Sequence, residues 1–341
     1  MKVIEVSGSP REIGNLTGEA LREEIREHLA LFPPNIDSTV WAQRFPRFLE
    51  TLKTHLPAVL AELEGTAAGA DLPLNTIFQL NLPMYANELV VDEGCTNIAF
   101  SDGSDGPLWG KNNDGLAKDE RRPVCARVIH RNDAIPMVNF TFCGMVATTD
   151  GMNAEGVAVG HSSVGSVFQQ SDDFVPIRLW AYECLMQSRT TSEFVRRLSQ
   201  LPTRGKGYSH VCVDVDGVMC SIEAPCPIMQ VRNPEPDAHH MNCVNCYQLP
   251  TFADADRRTE SGKCNAIARQ HLLEQSLSEL ADYSLVDMKE ILRHHGQLSI
   301  CRHGGMDDSH TEYSMIGMTQ SRRVLFVDGN PCQDIYQEIQ L

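Results

Sequence analysis

The sequence predicts an α+β fold in which two sheets pack on each other and helices cover them. Three observations support this fold class. Apolar residues recur at helical spacing through most of the first 94 residues. From Cys95 the pattern changes to short runs rich in β-branched and aromatic residues. Helical stretches then separate two groups of these runs, which indicates sheet packed on sheet with helices outside.

The elements follow in order along the chain. Residues 1–6 read as a strand, and Ser9-Pro10-Arg11-Glu12 is a helix start with Ser as N-cap and Pro at the first position. Pro33-Pro34 ends this helix, and a second helical stretch follows over 45–63. Further strands are predicted at 96–100, 124–130, 137–142, 146–149, 157–161, 210–215, 218–223, 313–318 and 323–327, and helices at 176–187, 191–200, 263–280 and 285–295.

The most informative stretch is a predicted hairpin. A strand over 95–100 is followed by a turn over 101–107, dense in Asp, Ser, Gly and Pro, and by a second strand over 108–115. A hairpin returns the second strand beside the first, so Asp114 is expected near Cys95. A cysteine at the first position of a strand, behind Gly94, is typical of an N-terminal nucleophile before its precursor is cut.

Several motifs share the order and spacing of one enzyme family. They are Glu62 to Ala70, Leu80-Asn81, Glu93-Gly94-Cys95-Thr96, Asn112-Asn113-Asp114, Asp150 to Ala158, Ile222-Glu223, Asn245-Cys246-Tyr247, Ile300-Cys301-Arg302-His303 and Gly329-Asn330-Pro331-Cys332. In these motifs the chain resembles the acyl-coenzyme A:6-aminopenicillanic acid acyltransferase family, which are cysteine N-terminal-nucleophile (Ntn) hydrolases. The resemblance covers nearly the whole chain.

The resemblance implies a four-layer αββα sandwich with two antiparallel sheets covered by helices. It also implies self-cleavage between Gly94 and Cys95. The products would be a helical fragment, 1–94, and a β-rich catalytic fragment, 95–341, which together form one structural domain. Because the two fragments share core helices, we expect them to stay associated.

Cys95 is the expected nucleophile. In the precursor its thiol would attack the carbonyl of Gly94, and water would hydrolyse the resulting thioester; glycine leaves this carbonyl unobstructed. Cleavage frees the amino group of Cys95, and an α-amine titrates near about 7.7, so it can take the proton of the thiol. The expected substrate is a small-molecule acyl amide, with hydrolysis favoured over transfer to an amine or from an acyl thioester.

The resemblance extends to further site residues. Asp114 would orient the amine or thiol of Cys95, and Asn245 would donate to the oxyanion. Asn242 is a rival for the oxyanion role. Arg302 would bind Asp114 or a substrate carboxylate.

Two other residues are assigned to the surroundings of the pocket, together with Asn242. Asn153 would line the substrate site, or would serve only as a turn residue between strands. Glu223 matches a strand glutamate with a structural or substrate-supporting role. The family's Ser-x-x-Arg segment appears only loosely, as Ser261-Gly262-Lys263-Cys264.

Composition excludes several partners. The net charge of −16 argues against nucleic acid or an anionic membrane as the main partner. The start of the chain lacks the pattern of a signal peptide, so twelve reduced cysteines and a cytoplasmic location are expected. No phosphate-binding loop and no His-Glu-x-x-His occur, so no cofactor and no catalytic metal are expected.

Two alternatives remain open at this stage, along with the acyl group and the oligomeric state. One is a catalytically silent binding protein on the same fold, stabilised by zinc. Its candidate ligands are Cys220, Cys226, Cys243 and Cys246, with His239 and His240 nearby. The other is a cysteine peptidase that pairs its thiol with His161 or His303 and needs no cleavage.

Overall fold

The structure, a computed structural model, describes residues 1–34, 37–82, 94–116, 121–148, 150–168, 170–296, 298–304 and 309–341. The helices are α1 (Pro10–Ala20), α2 (Arg22–Leu31), α3 (Ser38–His55), α4 (Pro57–Ala70), α5 (Leu74–Asn81), α6 (Ile177–Met186), α7 (Thr191–Leu198), α8 (Glu260–Ser278) and α9 (Leu285–Leu292), with a 3₁₀ turn at Pro250–Ala255. Within the described ranges, no helix combines the length and apolar character needed to cross a membrane.

The strands are β1 (Lys2–Gly8), β2 (Cys95–Phe100), β3 (Leu108–Leu116), β4 (Val124–Arg131), β5 (Met137–Phe142), β6 (Asp150–Asn153), β7 (Ala158–Ser163), β8 (Val175–Pro176), β9 (Thr203–Arg204), β10 (Tyr208–Val213), β11 (Met219–Ala224), β12 (Gln230–Arg232), β13 (His240–Cys243), β14 (Ser309–Met318), β15 (Arg323–Asp328) and β16 (Gln337–Gln340). Eight of them form a sheet in the order β1-β4-β5-β6-β7-β10-β11-β12, and six form a second sheet in the order β13-β2-β3-β14-β15-β16. β8 and β9 form a separate pair.

The two large sheets are antiparallel with one exception. β1 and β4 run parallel, so the expectation of two purely antiparallel sheets is wrong at this edge. Parallel neighbours need a long crossover connection. The helices α1–α5 lie in the segment between β1 and β4 and allow this crossover.

The helices and the two large sheets form four layers, and a buried apolar cluster fills each of the three spaces between them. The first joins α1–α7 to one face of the eight-stranded sheet, the second fills the space between the sheets, and the third joins the six-stranded sheet to α8 and α9. Along β4, Val124 and Ala126 face the other sheet, whereas Cys125 and Ile129 face the helices, as the alternation of strand side chains requires. The predicted four-layer αββα sandwich is therefore confirmed.

Four glycines allow α1 and α4 to pack backbone to backbone. A Cβ atom at Gly14 would lie 2.0 Å from the carbonyl oxygen of Glu62, and one at Gly69 would lie 2.0 Å from that of Asn15. Gly18 and Gly65 make similarly close approaches. This contact explains the glycines of the Glu62–Ala70 motif, since any side chain there would separate the two helices.

One predicted strand is wrong. Residues 146–148 are not a strand, because the N–H of Val146 donates to Oδ1 of Asn81 at 2.7 Å instead of joining a ladder. The strand in this region is β6, which begins at Asp150. Thr149 lies outside the described residues. The helix start at Ser9 is confirmed, since Ser9 and Glu12 form a capping box.

Three buried histidines make stability depend on pH. Burial lowers the pKa of His28 to about 4, of His161 to about 3 and of His210 to about 4. Their ordinary value is 6.5, so below this pH the unfolded chain binds more protons than the folded one. We expect the free energy of unfolding to fall as the pH drops from 6.5 towards 4, by up to about 4 kcal/mol per pH unit.

Urea unfolding at a series of pH values between about 7.5 and 5 measures how steeply the free energy of unfolding changes with pH. His28→Gln should reduce it by about one third, because one of three protons is removed. His271→Gln is the matched control, since that side chain is 75% exposed. Equal slopes in the three proteins would contradict the assignment of the pH dependence to buried histidines.

Candidate active site

The hairpin of β2 and β3 brings the predicted nucleophile and carboxylate together. Cys95 is the first residue of β2 and pairs with Asn113 in β3. The ladder continues beyond the strand, because the N–H of Asp114 donates to the carbonyl of Gly94 at 3.0 Å. Cys95 and Asp114 are only 3% and 1% exposed. The expected proximity of the two residues is thus present.

Two charged side chains close over Gly94. A Cβ atom at this position would lie 2.0 Å from Nη1 of Arg302 and 2.8 Å from Oδ2 of Asp114. Thr311 ties the two together: its hydroxyl donates to Oδ1 of Asp114 at 2.8 Å, and its backbone N–H donates to the carbonyl of Arg302 at 2.8 Å. Glycine is the residue that leaves room for this approach. Glu93, before it in the motif, lies outside the described residues.

Asn245 holds the backbone nitrogen of Cys95. The register of β13 with β2 pairs Cys243 with Asn97, and continuing it places Asn245 opposite Cys95. Oδ1 of Asn245 accepts from the N–H of Cys95 at 2.7 Å, and its Nδ2 donates to the carbonyl of Ser163 at 2.7 Å. These partners fix the orientation of the amide, since an N–H can meet only the oxygen and a carbonyl only the NH₂.

This orientation adds a second role to the one expected of Asn245. One N–H bond of its NH₂ group donates to the carbonyl of Ser163, and the other N–H bond is not used by that contact. Its oxygen positions the nitrogen of Cys95 in the uncut chain. The oxyanion role of the NH₂ group stays a prediction.

The sequence reasoning missed Arg269 in α8. This buried guanidinium donates to the carbonyl of Cys95 at 3.1 Å and to Oδ1 of Asn245 at 2.9 Å. Burial and the positive charge of Arg302 lower its pKa to about 10, which leaves it charged at neutral pH. The sequence did contain a signal for it, since Arg269 has the helical spacing of the apolar residues Ala266 and Leu273 and so lies on the buried face of α8.

Asn113 was also missed as a site residue. Its Oδ1 lies 3.7 Å from Sγ of Cys95 and accepts from the thiol. Its Nδ2 donates to Oε2 of Glu312 at 3.0 Å, and Glu312 accepts two hydrogen bonds from Arg122. The side chain that contacts the thiol is therefore oriented by an ion pair behind it.

A cavity of about 180 Å³ opens beside Cys95. One part of its wall is apolar and another carries cationic side chains. Among the described residues the lining is His28, Phe32, Pro34, Gln79, Leu80, Cys95, Asn113, Asp114, Arg122, Phe142, Met145, His161, Ser163, Arg178 and Lys206. Both Cys95 and Asp114 thus face a space that can hold a small molecule.

A buried polar network lies behind the cavity. Nζ of Lys111 is 2.8 Å from both carboxylate oxygens of Asp150, and Nδ1 of His161 is 2.9 Å from Oδ1. Burial of Asp150 opposes its ionisation, but the contacts with His161 and Lys111 outweigh this effect and lower its pKa. Burial keeps His161 neutral, since it lowers the pKa of the imidazole to about 3. No sequence motif indicated this network.

The residues assigned to substrate binding lie elsewhere. Asn153 ends β6, and its side chain donates to two carbonyls and accepts from two backbone N–H groups of the turn that follows. Oδ1 of Asn242 accepts from Gln270. The carboxylate of Glu223 accepts from the backbone N–H groups of residues 248 and 249. None of the three belongs to the described lining of the cavity, and the hydrogen bonds named here support the fold. Their assignment to substrate binding stays a prediction.

The zinc ligands suggested by the sequence do not come together. Cys220 and Cys226 belong to the cluster under the helices, Cys243 to the cluster between the sheets and Cys246 to the cluster under α8 and α9. Because their side chains belong to three different clusters and do not converge on one point, these four residues do not form a metal site. This alternative is wrong for the residues on which it was based.

A scan against protein-family models and a search of curated proteins found no match. Among solved structures, the chain is similar to an N-acylethanolamine-hydrolyzing acid amidase ortholog from Caenorhabditis elegans (TM-score 0.48, 15% identity, 66% of this chain and 93% of that one). It is also similar to a variant of conjugated bile acid hydrolase from Clostridium perfringens (TM-score 0.43, 10% identity, 72% of this chain and 97% of that one). A third similar structure is penicillin V acylase from Agrobacterium tumefaciens (TM-score 0.43, 15% identity, 69% of this chain and 83% of that one). Because these TM-scores are below 0.5, the similarities do not define the chemistry of this chain.

Proposed function

We propose that the chain is a self-processing cysteine Ntn hydrolase, of the acyl-coenzyme A:6-aminopenicillanic acid acyltransferase-like class, that acts on a small-molecule amide. One observation carries the proposal. Cys95 begins a strand, faces a cavity, and is flanked by a glycine carbonyl and a backbone nitrogen that both have fixed partners. The bond between the carbonyl carbon of Gly94 and the nitrogen of Cys95 is the one that must break to free an N-terminal nucleophile.

The first reaction is an acyl shift within the chain. Sγ of Cys95 bonds to the carbonyl carbon of Gly94, the C–N bond breaks, and the thiol proton ends on the nitrogen of Cys95. Water then hydrolyses the thioester to a carboxylate at Gly94 and a free thiol. The N–H of Asp114, 3.0 Å from the oxygen of Gly94, is placed to stabilise the negative charge on that oxygen.

The second reaction uses the freed amine. The α-amine of Cys95 takes the thiol proton, the thiolate attacks the acyl carbon of the substrate, and the leaving amine receives that proton. Water or a second amine then releases the acyl group. Oδ1 of Asn245 contacts the nitrogen that becomes this amine, and Arg269 holds both that oxygen and the carbonyl of Cys95.

The cavity wall supports a particular kind of substrate. Arg178, Lys206 and Arg122, the last of which is paired with Glu312, line it although the net charge of the chain is −16. Phe142 and Leu80 supply an apolar surface. An acyl amide with an apolar part and a carboxylate fits this combination, since guanidinium groups bind carboxylates with defined geometry.

One observation favours a second mechanism. His161 lines the same cavity as Cys95 and is oriented by Asp150, the arrangement of a cysteine peptidase with a Cys–His pair. The other candidate histidine, His303, is not part of the described cavity lining. The two mechanisms differ in whether cleavage before Cys95 and the imidazole of His161 are required.

A panel of acyl amides, with and without a carboxylate on the amine, tests the proposal. We expect the wild-type protein to release the acid and to carry the acyl group on fragment 95–341, detected by mass spectrometry. His161→Gln should lose less than about tenfold in kcat/KM, because a general base that is not used contributes nothing. A loss of about 10³-fold without loss of processing would favour the Cys–His mechanism. No acid and no acyl-enzyme across the panel would contradict both.

A further inference from the structure

A second cluster of reactive side chains lies outside the cavity. His295 follows α9, Cys301 and His303 precede β14, and Cys332 follows β15. One ligand atom from each of these four residues lies within 4.8 Å of the others. His295, Cys301 and His303 lie in one short segment and Cys332 lies 29 residues beyond His303, so two parts of the chain converge on one point. It is the one group of potential metal ligands of this kind in the part of the chain that the structure describes.

The distances within the cluster match tetrahedral coordination. Zinc binds sulfur at about 2.3 Å and nitrogen at about 2.0 Å, so in a tetrahedral site two sulfurs lie about 3.8 Å apart and a sulfur and a nitrogen about 3.5 Å. Sγ of Cys301 is 3.6 Å from Sγ of Cys332 and 3.7 Å from Nε2 of His303, and Sγ of Cys332 is 3.3 Å from that nitrogen. A disulfide would need the two sulfurs at about 2.05 Å.

We propose that His295, Cys301, His303 and Cys332 bind one zinc ion in a Cys₂His₂ site. Two thiolates and two imidazoles in a tetrahedron are the donor set typical of structural zinc. Four protein ligands leave no position for water, so the ion would stabilise the fold and would not take part in catalysis.

The surroundings of the cluster suit a bound metal. Nδ2 of Asn330 lies 3.4 Å from Sγ of Cys301 and also donates to the carbonyl of Arg302 at 2.6 Å. A hydrogen bond to a ligating sulfur orients it and stabilises the thiolate. The ring centroids of His295 and His303 lie 4.9 Å apart, so the two imidazoles share one side of the cluster.

The site has a consequence for Arg302, and this consequence rests on the proposed function. Arg302 stands between the ligands Cys301 and His303, and its guanidinium reaches the backbone of Gly94. Zinc bound on both sides would fix the backbone of Arg302 and hence the charge beside the Gly94–Cys95 bond. Arg302 is in this sense a residue whose position the metal sets.

Metal content tests the site. The full-length protein, expressed with zinc and desalted, should contain about one zinc per chain by elemental analysis, as four-ligand sites do. Cys332→Ser and His295→Ala, both at exposed positions, should lower this content at least about fivefold, because each removes one of four ligands. Cys264→Ser and His271→Ala replace an exposed cysteine and an exposed histidine outside the cluster and should keep it.

Cobalt gives a second readout that does not depend on activity. Cobalt added to chelator-treated wild-type protein should give the strong visible absorption of a tetrahedral site and a thiolate-to-metal charge-transfer band, both lost in Cys332→Ser. Circular dichroism of each variant shows whether it is folded.

Three outcomes would overturn the proposal. They are wild-type protein without zinc and without the cobalt spectrum, equal metal content in folded ligand variants and wild type, or a persistent disulfide between Cys301 and Cys332 found by peptide mass. Zinc content can be measured whether or not the chain is cut. A protein without zinc would contradict the zinc site alone, and an uncut chain would contradict self-cleavage alone.

Discussion

Cys95→Ala is expected to leave one intact chain, whereas the wild-type protein separates into fragments 1–94 and 95–341. Alanine has no nucleophilic atom, so neither the acyl shift at Gly94 nor the reaction with substrate can occur. The loss of amide hydrolysis should be on the order of 10⁶-fold, the size found when the nucleophile of a hydrolase is removed. Denaturing mass spectrometry of freshly purified protein measures the cleavage.

Two further variants make this result specific. Cys243→Ala removes a thiol of equal burial in the neighbouring strand β13 and should be cut as the wild type is. Cys95→Ser keeps a weaker nucleophile and should be cut more slowly. An uncut wild-type chain, or a cut Cys95→Ala chain, would remove self-processing by Cys95 from the proposed mechanism.

Asn245→Ala is expected to slow cleavage by about 100-fold. The substitution leaves the N–H of Cys95 and the guanidinium of Arg269 without their shared acceptor in a buried site, at a cost of about 3 kcal/mol. Asn242→Ala is the matched comparison, because this asparagine in β13 is also buried but contacts Gln270. Its effect on the cleavage rate should stay below about fivefold. The rate is measured from the decay of the uncut chain after synthesis.

Asn245→Asp separates the two roles considered for this side chain. Aspartate keeps an oxygen that accepts from Cys95 and Arg269 but loses the NH₂ group. If the oxygen positions Cys95, this variant should be cut faster than Asn245→Ala. Equal rates for the two variants would indicate that the NH₂ group is the part that matters, as the oxyanion role requires. A larger effect of Asn242→Ala would transfer the role to that residue.

The parts of the site that follow from local structure could be predicted from the sequence. Cys95 and Asp114 lie on adjacent strands of one hairpin, so the turn between them is enough to place them together. The strand and helix patterns likewise indicated two packed sheets with helices outside, whereas the four-layer sandwich followed from the family resemblance. Arg269 could not be placed in this way. It lies 174 residues from Cys95, and their contact depends on how α8 packs on the sheet.

Register and long-range contacts account for the other differences. Choosing between Asn245 and Asn242 requires the pairing of β13 with β2, and a shift of one residue would reverse the faces of the strand. The parallel pairing of β1 with β4 depends on a crossover of more than 100 residues. The proposed zinc ligands were missed because Cys301 and Cys332 are 31 residues apart and lack the usual paired spacing.

The parallel pairing of β1 also bears on how the protein can be made. If the chain is cut as proposed, β1 and α1–α5 belong to one polypeptide, while β4, their partner strand, belongs to another. Assembly of the uncut chain is a first-order event, but reassembly of separated fragments is second-order and depends on concentration. Cleavage would therefore turn a reversible folding reaction into a largely one-way one. The protein would then have to acquire its fold before it is cut, and a cut molecule that unfolded in dilute solution would be lost.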